Sequence, residues 1–513
     1  MAKTAKPNFI IVMTDQQQDS ARKSRAFALD TMPFLDSFAA EGADFACAYT
    51  SNPTCMPARV SLFTGRYPSC HRVRTNHNMR DAYYTKDLLD VLREAGWRTA
   101  LCGKNHSHHS PQDFDFCRRN GHLGNEGEVN STPEEEAFAA FLRSTNHMET
   151  HIPSPGGLAV QHPYRNVSDA LAFIDSCPED QPFFAWVSFA EPHNPYQVPE
   201  GYFDLFPPSA LPAPHAGKEA LPGKGPSYEW LRGVWEKVLG PDIENRILRA
   251  RSNYYGMLRL IDDQFRRLVE GIDARGLKEN TYIIYLSDHG DYAGEYGLIR
   301  KGAGLPEVLT RIPLAIRGPG IRHKRFCECV SIVDLFPTVC DILGVPIPFG
   351  VQGRSLLPLL KGEKVPEGEF DTAYCESGFS GLYWTEKDGL TLWEEGTCDR
   401  ELTRFDCLNT WTQCGQARMV RKGDWKLTCD MMGRAALFCL KEDPFEIRNR
   451  IDDPACLPVK ADMLKEMAAA MMRAADPLPA PHRRYRVKIH PKGYWRDADY
   501  CCGDPGVRDF PEE

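Results

Sequence analysis

The run Asn8-Phe9-Ile10-Ile11-Val12-Met13, continued by Thr14-Asp15-Gln16, decides how the rest of the chain is read. It is apolar without alternation and rich in branched side chains, the pattern of a strand buried on both faces in a parallel or mixed sheet. It stops at an aspartate. Open α/β sheets bind ligands beyond the carboxyl ends of their strands, so Asp15 stands where a ligand group belongs; a loop aspartate capping the next helix is the other reading.

Three runs farther along repeat the pattern. Arg98-Thr99-Ala100-Leu101-Cys102 follows a helical stretch over 86–95 closed by Gly96, and runs into Gly103-Lys104-Asn105-His106-Ser107-His108-His109. His108 and His109 read as a solvated turn. Phe183-Phe184-Ala185-Trp186-Val187-Ser188-Phe189 leads to Glu191-Pro192-His193-Asn194-Pro195-Tyr196, where prolines fix the loop that carries His193. Tyr282-Ile283-Ile284-Tyr285-Leu286 exits through Ser287-Asp288-His289-Gly290-Asp291, and glycine-punctuated sequence continues to Arg300-Lys301-Gly302. Four strand ends with polar, titratable residues, in step with an α/β alternation, imply a common rim.

Cys55-Met56-Pro57-Ala58-Arg59, in the stretch from Asn52 to Arg66, places a thiol and a cation at a helix entrance, where backbone N–H groups favour an anion. Taken alone it equally describes a half-buried cysteine and a first-turn proline.

The chain has 513 residues, 42% of them hydrophobic, enough for a large core and two or three structural units. A net charge of -9 and a mean hydropathy of -0.43 argue against a nucleic-acid binder, and no apolar run approaches the ~20 residues of a membrane span. Because Met1 to Pro7 leads straight into a core strand, no secretory signal is expected and the reading is cytoplasmic, with the 18 cysteines mostly thiols. The sequons Asn130-Ser131-Thr132 and Asn166-Val167-Ser168 then read as helix caps.

Helices are expected over 133–144, 168–176 and 242–275, with a proline- and glycine-rich surface excursion over 200–240. The segment from Lys361 to Gly368 marks a boundary. The expected organisation is a catalytic α/β domain over 1–365, an α+β subdomain over 366–478 and an arm over 479–513 that lies on its own domain or on a second subunit of a homo-oligomer.

Together these blocks resemble the sulfatases of the alkaline-phosphatase superfamily. Cys55-Met56-Pro57-Ala58-Arg59 is similar to their Cys-x-Pro-x-Arg signature, followed by Thr64-Gly65-Arg66-Tyr67-Pro68. Asp15, Gly103-Lys104-x-His106, Pro192-His193-x-Pro195, Ser287-Asp288-His289-Gly290 and Lys301-Gly302 match the other blocks in order, over about residues 8 to 345. The resemblance implies the superfamily's large mixed sheet flanked by helices, with a smaller C-terminal α+β subdomain. It also implies hydrolysis of a sulfate ester by a formylglycine made from Cys55, whose sulfated hemiacetal collapses to the aldehyde and so spares water an attack at sulfur.

By the same resemblance Asp15, Asp288 and His289, with Gln16 and the modified Cys55, hold one divalent metal. Oxygen-rich ligation favours Ca²⁺, and Mg²⁺ or Mn²⁺ stay open because many relatives have aspartate and asparagine where Gln16 and His289 stand. Arg59 and Lys104 would hold the diol and sulfate oxygens, Lys301 the sulfate, and Asn76 would add a hydrogen bond. His193 would protonate the leaving oxygen and His106 would take the diol proton, roles the two could exchange.

The implied partners are a small-molecule or glycan sulfate ester and a formylglycine-generating or anaerobic sulfatase-maturing enzyme, with no nucleic acid and no membrane. Phosphonate monoester or phosphodiester hydrolysis and a catalytically silent binding protein are the alternatives. Lys104 and His106 favour the sulfatase, since those phosphonate hydrolases carry other residues in that block. Specificity is expected from 110–165, from 200–240 and from the segment Ser377 to Trp393, with Trp384 and Trp393 as stacking surfaces.

Overall fold

Asn8–Asp15 is the central strand of the molecule, buried along its length and paired in parallel with Phe183–Pro192 on one side and Thr281–Ser287 on the other. The computed structural model describes residues 6–127, 131–379, 414–475 and 490–496. Its main sheet has nine strands, in the order Lys324–Phe326, Ala43–Phe45, Leu314–Arg317, Thr281–Ser287, Asn8–Asp15, Phe183–Pro192, Arg98–Gly103, Phe116–Gly121 and Gly124–Asn125. Pairing is parallel from Thr281–Ser287 through to Phe116–Gly121, and Leu314–Arg317 and Gly124–Asn125 pair antiparallel, which makes the sheet mixed.

Alternate residues of the central strand face two helical layers. Ile10 and Val12 pack in one core with Phe38, Phe173 and Phe265, from the helices Pro33–Ala40, His162–Asp175 and Ile243–Ala274. Phe9, Ile11 and Met13 pack in the other with Phe63, Leu92 and Phe336, from Cys55–Thr64, Leu88–Glu94 and Leu335–Leu343. Both faces are dry, which is why the run is apolar without alternation. The parallel strands all point their carboxyl ends at one rim, and Asp15, Lys104, His193 and Asp288 sit there.

Two expectations are corrected. The helix expected from 168 begins at His162, with Pro163 in its first turn, so Asn166 lies inside it and caps nothing. Buried Asn166 instead accepts a hydrogen bond from Asn120 and donates to the Ser188 carbonyl at 3.2 Å. The excursion over 200–240 contains the helix Pro226–Leu239, bracketed by Gly225 and Gly240, which drives Trp230 and Trp235 into the core. Those glycines mark the ends of a helix rather than an open loop.

A second sheet, Thr372–Ser377, Ala417–Lys422, Trp425–Asp430 and Ala435–Cys439, is antiparallel throughout. Tyr374, Val420, Leu427 and Leu437 pack under the helix Leu457–Ala474, while Ala373, Cys375 and Met419 pack against Tyr49 and Leu305 of the main body. Lys426 crosses that contact to Glu307 at 2.9 Å. Residues 490–496 lie on the same chain, where Tyr494 donates to the Ser355 carbonyl. Trp384, Trp393, Asn130 and most of 479–513 lie outside the described residues. Among the described residues no cysteine is in a disulfide, and no helix is long and apolar enough to cross a membrane.

Candidate functional site

Cys55 is the first residue of the helix Cys55–Thr64, entered from an extended Thr54. The next backbone N–H, of Met56, donates to Asn76 Oδ1 at 3.0 Å, and Asn76 Nδ2 is buried with no hydrogen-bond partner among the described residues. Cys55 Sγ lies 3.1 Å from Lys301 Nζ, 3.3 Å from His289 Nε2 and 3.6 Å from Asp15 Oδ1. Ligating atoms of Asp15, Cys55, Asp288 and His289, all buried, fall within 4.8 Å of one another. Residues 15, 55, 288 and 289 therefore meet at one point, although they come from three separate elements.

Gln16 reaches the same point from a left-handed backbone, φ 72°, a conformation that is costly for a residue with a Cβ. The surroundings enforce it. Its N–H donates to Asp288 Oδ1 at 3.1 Å, its carbonyl accepts from Tyr254, and its side-chain Nε2 donates to Asp291 Oδ2 at 2.6 Å. With the amide nitrogen committed to Asp291, Oε1 turns inward to Lys301 Nζ at 3.1 Å. Asp291 is fixed in turn by Tyr196 and by the Ala293 N–H, and burial pushes its carboxyl up to about 6.

Two carboxylates, an inward amide oxygen, an imidazole and residue 55 form a donor set suited to a hard or borderline divalent ion. Lys301 supplies an internal test of that fit, since its ammonium stands 3.1 Å from Gln16 Oε1, Cys55 Sγ and His289 Nε2 alike. Three of those donors gather round a positive charge already provided by the chain.

Arg59 is held among the chain's own acids and carbonyls. Its Nε donates to Asp288 Oδ2 at 2.9 Å, one terminal nitrogen faces Asp15 Oδ2 at 3.5 Å, and the other serves Ser188 Oγ and the carbonyls of Lys104 and Asn105. A guanidinium so placed braces the two acids. Lys104 Nζ contacts Asp15 Oδ2 directly and lies 2.7 Å from His122 Nε2. Gly103 before it has φ +114°, and a Cβ there would strike the Ser188 carbonyl, so the backbone can deliver Lys104 only through glycine.

Charge density sets the protonation states. Burial pushes Asp15 up, but Lys104, Lys301 and Arg59 outweigh it and hold the carboxyl well below its ordinary range. Burial and Asp15 push the Cys55 thiol up, and Lys104, Lys301 and His289 leave it lowered overall. Burial lowers His289, yet Asp288 leaves it raised. His106 and His193 go the other way: burial, with Lys104 beside His106 and Lys301 beside His193, holds both well below the ordinary imidazole value. Neutral rings replace the near-neutral titration expected of free histidines.

His122 also belongs to this group, although no motif in the sequence marks it. Its ring stacks on His193 at 3.7 Å, meets His106 edge-on at 5.9 Å and bonds Lys104, while burial and His193 keep it well below the ordinary value. It follows the strand Phe116–Gly121, so the strand-end rule applies to it, but Arg118 and Arg119 break the apolar pattern that would expose the strand. His108 and His109 are buried side chains rather than a solvated turn.

A family model described as Sulfatase matches residues 7–345. YidJ of Escherichia coli K12, described as an uncharacterized sulfatase, is 27% identical over 508 residues, covering 96% of this chain and 91% of that one. An arylsulfatase of Clostridium perfringens is 27% identical over 389 residues, covering 69% and 79%. Among solved structures, the phosphonate monoester hydrolase of Agrobacterium radiobacter superposes with a TM-score of 0.73 at 23% identity, over 91% of this chain and 96% of that one. BT4656 in complex with its substrate D-glucosamine-2-N,6-O-disulfate gives 0.66 at 19%, over 92% and 99%. At those identities the structural likeness is one of fold.

Proposed function

The chain belongs to the sulfatase family of sulfuric ester hydrolases, and we propose that it cleaves its sulfate ester with a formylglycine made from Cys55, at a site where Asp15, Gln16, Asp288 and His289 hold one divalent metal. The observation that carries this reading is the convergence of Asp15, Cys55, Asp288 and His289 within 4.8 Å at the ends of parallel strands. When bound, the metal would polarise a sulfate oxygen and the oxygens of residue 55, a task the oxygen-rich donors suit to Ca²⁺, with Mg²⁺ or Mn²⁺ as alternatives. Residue 55, once converted to formylglycine by a maturing enzyme and hydrated, would supply the attacking oxygen.

The chain's own residues do the rest. Arg59 locks Asp15 and Asp288 in register through bonds to both. Lys301, beside residue 55, and Lys104, beside Asp15, offset the negative charge of the entering ester. Asn76 Nδ2, buried and unbonded, is a donor for a sulfate oxygen next to the helix entrance. His106, held neutral, accepts the proton released from residue 55. A bound anion raises the affinity of His193 for a proton, and His193 passes that proton to the leaving oxygen.

A phosphonate ester is the second reading, because the Asp15-Gln16 block and formylglycine also suit that chemistry on this fold. Lys104 and His106 favour sulfate. A parallel screen of sulfate, phosphate and phosphonate esters with matured protein separates the two: sulfate turnover should lead, and a lead for phosphonate overturns the first reading. The leaving group is proposed as a sugar or another small organic alcohol.

A further inference from the structure

The loop that carries Lys104 and His106 continues into a second cluster that the sulfate chemistry does not use. Asp87 precedes the helix Leu88–Glu94 and caps it: its Oδ1 accepts from the Asp90 N–H at 2.9 Å, and its own N–H donates to Asp90 Oδ2. This leaves Oδ2 fixed and turned toward two imidazoles, with His108 Nε2 at 2.7 Å and His109 Nε2 at 3.3 Å. The ligating atoms of the three residues fall within 4.8 Å of one another.

A capping aspartate with one histidine hydrogen bond accounts for His108. It does not account for His109. That side chain is only 8% exposed, and its Nε2 has no hydrogen-bond partner although it is the atom aimed at Asp87. Its Nδ1 stands 4.0 Å from Asp113 Oδ2, beyond hydrogen-bond reach, so no bond on that side holds the ring and Nε2 is left to offer its lone pair to a cation. A cation between His109 Nε2 and Asp87 Oδ2, 3.3 Å apart in a buried space, would take the imidazole lone pair and the carboxylate oxygen as ligands together.

The support is rigid. The two imidazoles lie 4.2 Å apart between centroids, the Phe63 ring meets His109 edge-on at 4.7 Å, and Asn105 Nδ2 ties down the His109 carbonyl at 2.7 Å. We propose that Asp87, His108 and His109 form a second metal site, distinct from the Asp15 site, for Zn²⁺ or a similar borderline divalent ion. Two imidazoles and one carboxylate are the donors such ions prefer, whereas Ca²⁺ takes oxygen. Filled, the site would fasten the start of the helix Leu88–Glu94 to the segment that presents Lys104 and His106.

The test uses the full chain stripped of transition metals and saturated with Ca²⁺ to occupy the Asp15 site, then titrated with Co²⁺ and followed by visible absorption and metal analysis. The expected result is one bound Co²⁺ with the visible bands of a low-coordinate nitrogen and oxygen site, displaced by Zn²⁺. His109→Gln and Asp87→Asn should each weaken binding by about tenfold or more. Asp87→Asn retains a capping side chain, so it reports on the metal even if His109→Gln folds poorly. No Co²⁺ or Zn²⁺ uptake by the wild type, or uptake unchanged in both variants and lost in Asp288→Asn, overturns the proposal and leaves Asp87 a hydrogen-bonded cap.

Discussion

Lys104 Nζ lies 2.7 Å from His122 Nε2, and the His122 ring stacks on His193 at 3.7 Å, so one imidazole links Lys104 to the proposed acid. His122→Ala should lower kcat by about 10- to 100-fold with little change in Tm, since His122 is half-buried and touches the chemistry through its neighbours. His122→Gln, which can still accept from Lys104, should recover part of the loss. A pH–rate profile unmoved by His122→Ala would show that the stacking does not set the state of His193.

Arg59 sits between two buried carboxylates, and removing it takes the guanidinium from both, leaving Asp288 without that charge and Asp15 to Lys104. Arg59→Met should cost about 3–5 kcal/mol of stability, the usual effect of breaking a buried ion pair on one side. A divalent cation should restore part of the denaturant midpoint, because it offers Asp15 and Asp288 another counter-charge. A variant as stable as the wild type in chelator contradicts the bracing role.

Asp291 holds the Gln16 amide so that Oε1 points inward. Asp291→Ala should weaken metal binding by about 10- to 100-fold in calorimetry, although Asp291 is not itself proposed as a ligand. Unchanged affinity would remove Gln16 from the ligand set.

Much of this site is legible in the sequence because parallel strands buried on both faces give unbroken apolar runs, and Asn8–Asp15, Phe183–Pro192 and Thr281–Ser287 each deliver their polar exit to the rim. What escapes has a physical reason in each case. His122 follows an edge-side strand whose half-exposed arginines hide it. Arg59 shows its sign and position in the sequence but not its partners, which come from residues 229 positions away for Asp288 and 129 for Ser188. Trp230 and Trp235 are masked by the glycines that end their helix, and the burial of His108 and His109 depends on Asp87 and Phe63, which only the packing brings near.

The docking of the second sheet should be acid-labile. Burial pushes Glu307 up, but Lys426 and Arg421 hold it at about 2, below its ordinary 4.5. In the acid range the unfolded chain therefore binds a proton that the folded chain refuses, so this stabilisation is complete above about pH 4.5 and is lost as pH falls toward 2. Urea midpoints should fall across that window, and Lys426→Met should flatten the slope while lowering stability near neutrality. An equally steep acid slope in the variant would place the effect elsewhere.

The most direct measurement is mass spectrometry of the peptide containing residue 55, taken from protein that is turning over a sulfate ester after expression with a maturing enzyme. Formylglycine is expected at residue 55, together with loss of that turnover in Cys55→Ala with the fold intact. An unmodified cysteine in protein that still hydrolyses the ester would contradict it.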